Sequence, residues 1–175
     1  MLAGSMLARP PETRNPGSPG FLRMLPLPLF LLQPLLGRIV RRLAADLPAI
    51  FDRLGRHRAS RFVIDARELP FVLLLRPDPQ ALLFAACPRH REPLYDARVE
   101  GRFLDLLGLV DGNQDGDALF FSRDLKITGD TEAVVCLRNA LDDVEGSIAE
   151  KVADMFGSPG RVALSLMRRA GKPGR

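Results

Sequence analysis

The chain has 175 residues, enough for one domain with a sizeable core plus tails. Hydrophobic residues make up 46%, with ten Phe, one Tyr and no Trp, an aliphatic excess that argues against a stacking platform for nucleobases. Nine Arg face three acids in residues 1–60, eleven basic residues face eighteen acidic ones in 61–160, and five basic residues meet no acid in 161–175. An acidic body with basic ends is not the charge pattern of a nucleic-acid binder, and fits an anionic membrane surface, an acidic partner or plain solubility.

Residues 1–20 are rich in Pro, Gly and charge and read as a disordered tail. Residues 21–60 read as an apolar arm followed by helices. The run from Met24 to Leu36 is too short for a membrane span, and Pro26, Pro28, Gln33 and Pro34 interrupt it. No small-residue cleavage box follows it, so a signal peptide fits poorly. A Pro-punctuated arm of this kind either folds back onto the core or touches a bilayer, with Arg38, Arg41 and Arg42 beside the head groups. Leu35, Leu36, Ile39, Val40, Leu43 and Ala44 recur at helical spacing. Asp46 is placed to cap a second short helix that has Pro48 in its first turn and Ile50, Phe51 and Leu54 on its apolar face.

Residues 61–156 read as the main domain. Strand signals cover Phe62–Ile64, Phe71–Leu75 and Ala81–Cys87, and the Pro77-Asp-Pro79 turn predicts that the last two pair as neighbours. Both are more continuously apolar than half-wet strands, which predicts apolar contact on both faces of the sheet. Residues Tyr95–Glu100 alternate, with Tyr95, Ala97 and Val99 on one side and Asp96, Arg98 and Glu100 on the other, as in a strand with a solvated face. Phe103–Leu109 suits a short Leu-rich helix closed at Gly112. The acidic turn Asp111–Asp117 lacks the order of a calcium loop. Leu119–Phe121 and Leu125–Thr128 read as a hairpin about Ser122–Asp124. Gly129 then permits a tight exit, and Asp130 caps a helix striped by Ala133, Val134, Leu137, Ala140, Leu141 and Val144. Asp142, Asp143 and Glu145 on its outer side suit a partner-docking face. Ile148, Val152, Met155 and Phe156 form a shorter stripe, Ser158-Pro-Gly160 reads as a break, and 157–175 as a basic C-terminal tail.

The expected fold is α+β: a five- to six-stranded, largely antiparallel sheet covered by helices, with an apolar cavity. Catalytic and metal chemistry find little footing. Cys87 and Cys136 are isolated in apolar runs, His57 and His90 are the only imidazoles, and no nucleophile elbow, phosphate loop, zinc motif or cofactor fingerprint is present. The reading is therefore of a non-enzyme with no cofactor, no metal and no nucleic-acid partner. Two alternatives stay open: an interaction or membrane-tethering module with a vestigial pocket, and a small enzyme using His57 or His90.

The stretch Val99-Glu-Gly-Arg-Phe-Leu-Asp-Leu-Leu-Gly-Leu-Val-Asp-Gly112 and the run Phe120-Phe-Ser-Arg-Asp-Leu-Lys-Ile-Thr-Gly-Asp130 resemble the sterol carrier protein type 2 domain family. The second run, with Leu137-Arg-Asn-Ala-Leu-Asp-Asp143, is similar to the branch of bacterial ubiquinone biosynthesis accessory factors. The resemblance spans about residues 23–156. It implies a sterol-carrier-like fold and a non-catalytic, lipid-binding accessory role in ubiquinone synthesis, in particular its oxygen-independent route. It also implies cytoplasmic placement, peripheral at most to the inner membrane, and partner proteins of the peptidase U32 iron–sulfur type. The guest would be a polyprenylated quinone precursor or a phospholipid, held by burial worth roughly 25 cal/mol per Å² of apolar surface. Candidate walls are Phe71, Leu73, Leu75, Leu82 and Phe84 on strands, and Leu104, Leu107, Leu109, Phe121, Leu137 and Leu141 on the hairpin and helices. Arg123 and Lys126, near the hairpin turn, join Arg38, Arg41 and Arg42 as candidate head-group contacts.

Overall fold

The computed structural model describes residues 29–111, 125–144 and 146–171. Two helices come first, α1 (Leu29–Asp46) and α2 (Pro48–Leu54), then a 3-10 turn at Gly55–Ala59. Three strands follow: β1 (Phe62–Ala66), β2 (Phe71–Arg76) and β3 (Leu83–Pro88). Beyond a second 3-10 turn at Arg89–Arg91 lie β4 (Ala97–Gly101), α3 (Phe103–Asp111), β5 (Lys126–Gly129), α4 (Thr131–Asp142), α5 (Ile148–Asp154) and α6 (Gly157–Gly171).

The sheet order is β3-β2-β1-β4-β5. Three pairings are antiparallel, including the expected β2–β3 hairpin, while β1 and β4 run parallel from Phe62↔Ala97 to Ala66↔Gly101. The sheet is therefore mixed, and the physical reason is the route of the chain. The meander β1-β2-β3 leaves β3 running the same way as β1, so the chain must cross the sheet to add β4 on the far side of β1. The crossing segment covers the outer face, where Tyr95 packs with Val63, Val72, Leu74 and Cys87.

An ion network lies on that outer face. Asp65 is 2% exposed and accepts from Arg89 at 2.5 Å and from Arg98, which also pairs with Glu92. Arg89 further donates to the carbonyls of Ala66 and Leu69. The buried carboxylate is thus fully paired, which its burial demands. Arg98 does not point into solvent, as the alternation alone suggests. Burial would lower its pKa, but the hydrogen bond and charge of Asp65, with Glu92 and Glu100, raise it on balance.

The inner face carries the main core. Phe62, Ala66, Ala97 and Val99 pack against Leu106 of α3, Leu125, and Ala133 and Val134 of α4. A second core joins Ile50, Phe51 and Leu54 of α2 to Ala140 and Ile148. Leu137 touches both, so α4 binds the two together. Helix α1 lies along the outermost strand β3, burying Leu36 and Val40 one turn apart, and the Gln33 amide donates to the Ala86 carbonyl at 2.7 Å. An outer strand that a helix covers is protected from edge-to-edge pairing.

Local signals around β5 act as expected. Gly129 has φ +85°, and a Cβ there would lie 2.3 Å from the Asp96 carbonyl oxygen. Asp130 caps α4 by accepting from the Ala133 N–H at 3.0 Å.

Three further expectations fail. Tyr95 does not share a side with Ala97 and Val99: the strand starts only at Ala97, and Tyr95 packs on the outer face while those two pack on the inner one. Asp46 is not the cap of α2; Leu47 holds that position, because α1 runs through to Asp46 and Arg42 engages its carboxylate at 2.9 Å. Ser158-Pro-Gly160 is not a break: α6 starts at Gly157, and Pro159 sits in its first turn, where the missing N–H has no partner to lose. The proposed basic tail is therefore helical through Gly171. The strand Leu119–Phe121 and the turn Ser122–Asp124 lie outside the described residues.

Candidate lipid-binding site

Strand alternation places Phe71, Leu73 and Leu75 of β2 on the inner face, with Phe84 of β3 opposite Leu75 and Pro88 opposite Phe71. All four of the named apolar side chains are half-buried, whereas Val72 and Leu74, turned to the crossing segment, are buried. The inner face is thus uneven. Under α3 and α4 it is filled by Phe62, Ala97 and Ala133, each at most 1% exposed. Toward β2 and β3, Phe71, Leu73, Leu75 and Phe84 remain half open, while Ala86 opposite Leu73 is 2% exposed. Leu75 and Leu109 pack at the margin of the main core, Leu82 and Leu141 at the margin of the second, and Leu137 at both. Leu107 packs instead on the α5–α6 contact, and Leu104 is half-buried on α3. The candidate walls therefore do not converge on one point. Phe121 and Arg123 lie outside the described residues.

An open cleft of about 760 Å³ runs between α1 and α5, lined by Arg38, Arg42, Asp46, Leu47, Lys151, Asp154 and Met155. A smaller pocket of about 260 Å³ is lined by Leu47, Ala49, Ile50, Arg53, Ala140, Asp143, Val144 and Lys151. Leu47 and Lys151 line both, so an arginine- and lysine-bearing mouth adjoins an apolar recess. Such an arrangement suits a ligand with an anionic or polar head and a hydrocarbon body. The cleft is in the size range of small-molecule sites, roughly 300–1,000 Å³.

Of the head-group candidates, the cleft gathers Arg38 and Arg42. Arg41 is exposed and its guanidinium lies over Gly37, outside the cleft lining. Lys126 is exposed on β5, paired in register with Glu100, and lines neither pocket. Sequence reasoning missed Lys151. It lies more than a hundred residues from Arg38, and only the packing of α5 beside α1 joins them.

Outside the cleft, His57, Asp142 and Asp143 are held in contacts within the chain. His57 is buried, with Nδ1 at 3.5 Å from Asp130 and Nε2 at 3.7 Å from Glu132, and it accepts from Arg56 Nε at 3.1 Å. Its partners are two carboxylates and a guanidinium at the start of α4, not a nucleophile. His90 is exposed on the second 3-10 turn. Burial pushes the Cys87 thiol pKa up, away from the reactive thiolate. Asp142 pairs with Arg138 at 3.2 Å and Asp143 with Arg53, so two of the three proposed docking acids are engaged within the chain. Glu145 lies outside the described residues. Among the described residues, no group of three or more His, Cys, Asp or Glu is placed to hold a metal, and no helix is long and apolar enough to cross a membrane.

A mixed sheet with an apolar inner face, helices over part of it and a charged cleft beside it defines a small α+β binding domain of the lipid-carrier type. The chain belongs to the SCP-2 sterol transfer family, whose model matches residues 40–142, from α1 to the end of α4. Three solved structures are similar to it in outline. A UbiJ-SCP2 ubiquinone synthesis protein shares 21% identity over 68% of this chain and 92% of its own, with a TM-score of 0.46. The apo sterol carrier protein 2 of Yarrowia lipolytica shares 14% over 59% of this chain and 84% of its own, at 0.41. The sterol carrier protein domain 2 of Helicoverpa armigera shares 13% over 63% and 88%, at 0.44. No curated protein matches the chain significantly.

Proposed function

We propose that this protein is a non-catalytic lipid carrier that holds a polyprenylated quinone precursor or a membrane phospholipid and presents it to hydroxylating enzymes of ubiquinone biosynthesis. The proposed role is that of a UbiT-type accessory factor in the oxygen-independent route, beside iron–sulfur partners of the peptidase U32 type. The observation that carries the lipid-carrier reading is the family match over the whole sheet and its covering helices. The finer reading is supported by the run Phe120–Asp130, which resembles that branch.

The physical logic is that of an amphipathic guest. The half-open side chains of β2 and β3 offer apolar surface that a hydrocarbon chain would cover, worth roughly 25 cal/mol per Å². Arg38, Arg42 and Lys151 offer donors to a phosphate, phenolate or carboxylate head. Loss of water from apolar surface drives such binding, and no covalent step is required.

Native mass spectrometry of protein purified from its own cells tests the carrier reading. The expected result is a bound isoprenoid or phospholipid; protein free of lipid that also ignores added prenylated phenols sinks it. Deletion of the gene tests the pathway. Ubiquinone is expected to fall in cells grown without oxygen and to persist in aerated cells, and equal levels in both would remove the oxygen-independent assignment.

A further inference from the structure

Helix α6 is docked the wrong way round for an ordinary surface helix. Its inward side is made of Gly160, Leu164 and Arg168. A Cβ at Gly160 would lie 2.1 Å from the Ala153 carbonyl oxygen, so the backbones of α5 and α6 meet there. Leu164 is buried against Ala149 and Ala153. Arg168 pairs with Glu150 at 2.9 Å, and Arg161 reaches Asp154 at 3.4 Å. The apolar side chains Val162, Leu166 and Met167 point outward instead, 56%, 57% and 37% exposed. With Pro159 and Ala163, both exposed, they follow i, i+3, i+4, i+7, i+8 spacing and form one continuous stripe. A helix that uses glycine and salt bridges to hold on to the domain, and keeps its apolar stripe in water, has an external surface to meet.

The charge of this region says which. From Met155 to the C-terminus there is no acidic residue, and residues 161–175 carry four Arg and one Lys. Arg169 is exposed and follows Leu166 of the stripe by one turn. A second copy of the chain would bring two such basic segments together, and like charges would oppose the pairing. An anionic bilayer is complementary to both features at once: the stripe enters the boundary between head groups and acyl chains, and the cations meet the phosphates. We infer that α6 is a membrane-surface helix that lays Val162, Leu166 and Met167 into an anionic bilayer. The inference rests on the lipid-carrier reading for its purpose, because a water-insoluble guest must be taken up and released at a membrane.

Flotation of the full chain with vesicles tests it. Phosphatidylcholine vesicles with added phosphatidylglycerol are expected to carry the protein, pure phosphatidylcholine vesicles are not, and raised salt weakens the binding. V162E/L166E, two exposed positions whose exchange leaves the packed side of α6 untouched, is expected to lower the bound fraction about tenfold or more. R169E is expected to weaken it less. Loading from detergent-solubilised lipid, read by native mass spectrometry, separates docking from cargo: with no membrane to dock on, the double variant is expected to take up as much lipid as the wild type. Undiminished flotation of V162E/L166E overturns the inference, as does a wild-type dimer that the variant splits, since the stripe would then be a subunit contact. Failure of the variant to take up the detergent-presented lipid overturns it too, because the stripe would belong to the carrier site.

Discussion

Single residues at the β4–β5 corner show how local chemistry holds this domain together. The Asp130 carboxylate satisfies the Ala133 N–H, one of the first-turn donors of α4 that have no helical partner. Asp130→Ala is expected to cost about 1 kcal/mol in urea denaturation, with the fold unchanged by circular dichroism. Asp96 accepts from the Arg61 N–H at 2.8 Å and from its guanidinium at 3.3 Å. Those backbone and side-chain hydrogen bonds hold its carboxyl below the usual carboxylate range. A group with a depressed folded-state pKa contributes stability above its unfolded pKa and loses it as pH falls through the folded value. Asp96→Asn is therefore expected to be less stable than wild type at neutral pH. The gap should close in acid, below the usual carboxylate range. A gap that is constant with pH would show that the charge of Asp96 contributes nothing.

At the level of elements, close backbone approach decides where α6 sits. Gly160 leaves no room for a side chain against Ala153. Gly160→Ala must push α6 away from α5, and overpacking of this kind costs about 1–3 kcal/mol. Hydrogen exchange is expected to rise in α6 and in the neighbouring turn of α5, while amides of β1 and β2 keep their protection. Uniform loss of protection would show instead that α6 is part of the central folding unit. The strands tell a related story. β2 and β3 read as doubly apolar; Val72 and Leu74 on the outer face of β2 are buried beside Tyr95 of the crossing segment, whereas Leu83 on the outer face of β3 is exposed and Phe71, Leu73 and Phe84 stay half open within. Periodicity located these strands and their pairing. It did not tell which face would be sealed, because hydrophobic side chains in a filled core and beside an open groove have the same spacing.

For the whole molecule, the cleft between α1 and α5 gathers charge from distant parts of the chain. Substituting Arg38, Arg42 and Lys151 by Glu is expected to lower the share of protein that carries an acidic lipid in native mass spectrometry. All three are exposed, so the melting temperature should move little. Unchanged lipid content would remove this cleft from the binding site and leave the inner face of β2 and β3 as the remaining candidate.

The α+β class, the β2–β3 hairpin, the exit at Gly129 and the cap at Asp130 were all written in the amino-acid order. Each depends on neighbours within a few residues: alternation, a Pro-Asp-Pro turn, a glycine with room for a left-handed φ, a carboxylate beside an uncapped helix. The family resemblance was legible for the same reason, since it sits in contiguous runs. Other features depended on packing between elements far apart in the chain. Among these are the parallel pairing of β1 with β4 and the capture of Asp46 by Arg42 in place of a cap. So are the meeting of Lys151 with Arg38 and Arg42, and the outward turn of the α6 stripe. A period of 3.6 residues defines an apolar side of a helix, but only the three-dimensional placement of that helix says whether the side faces the core or the world outside.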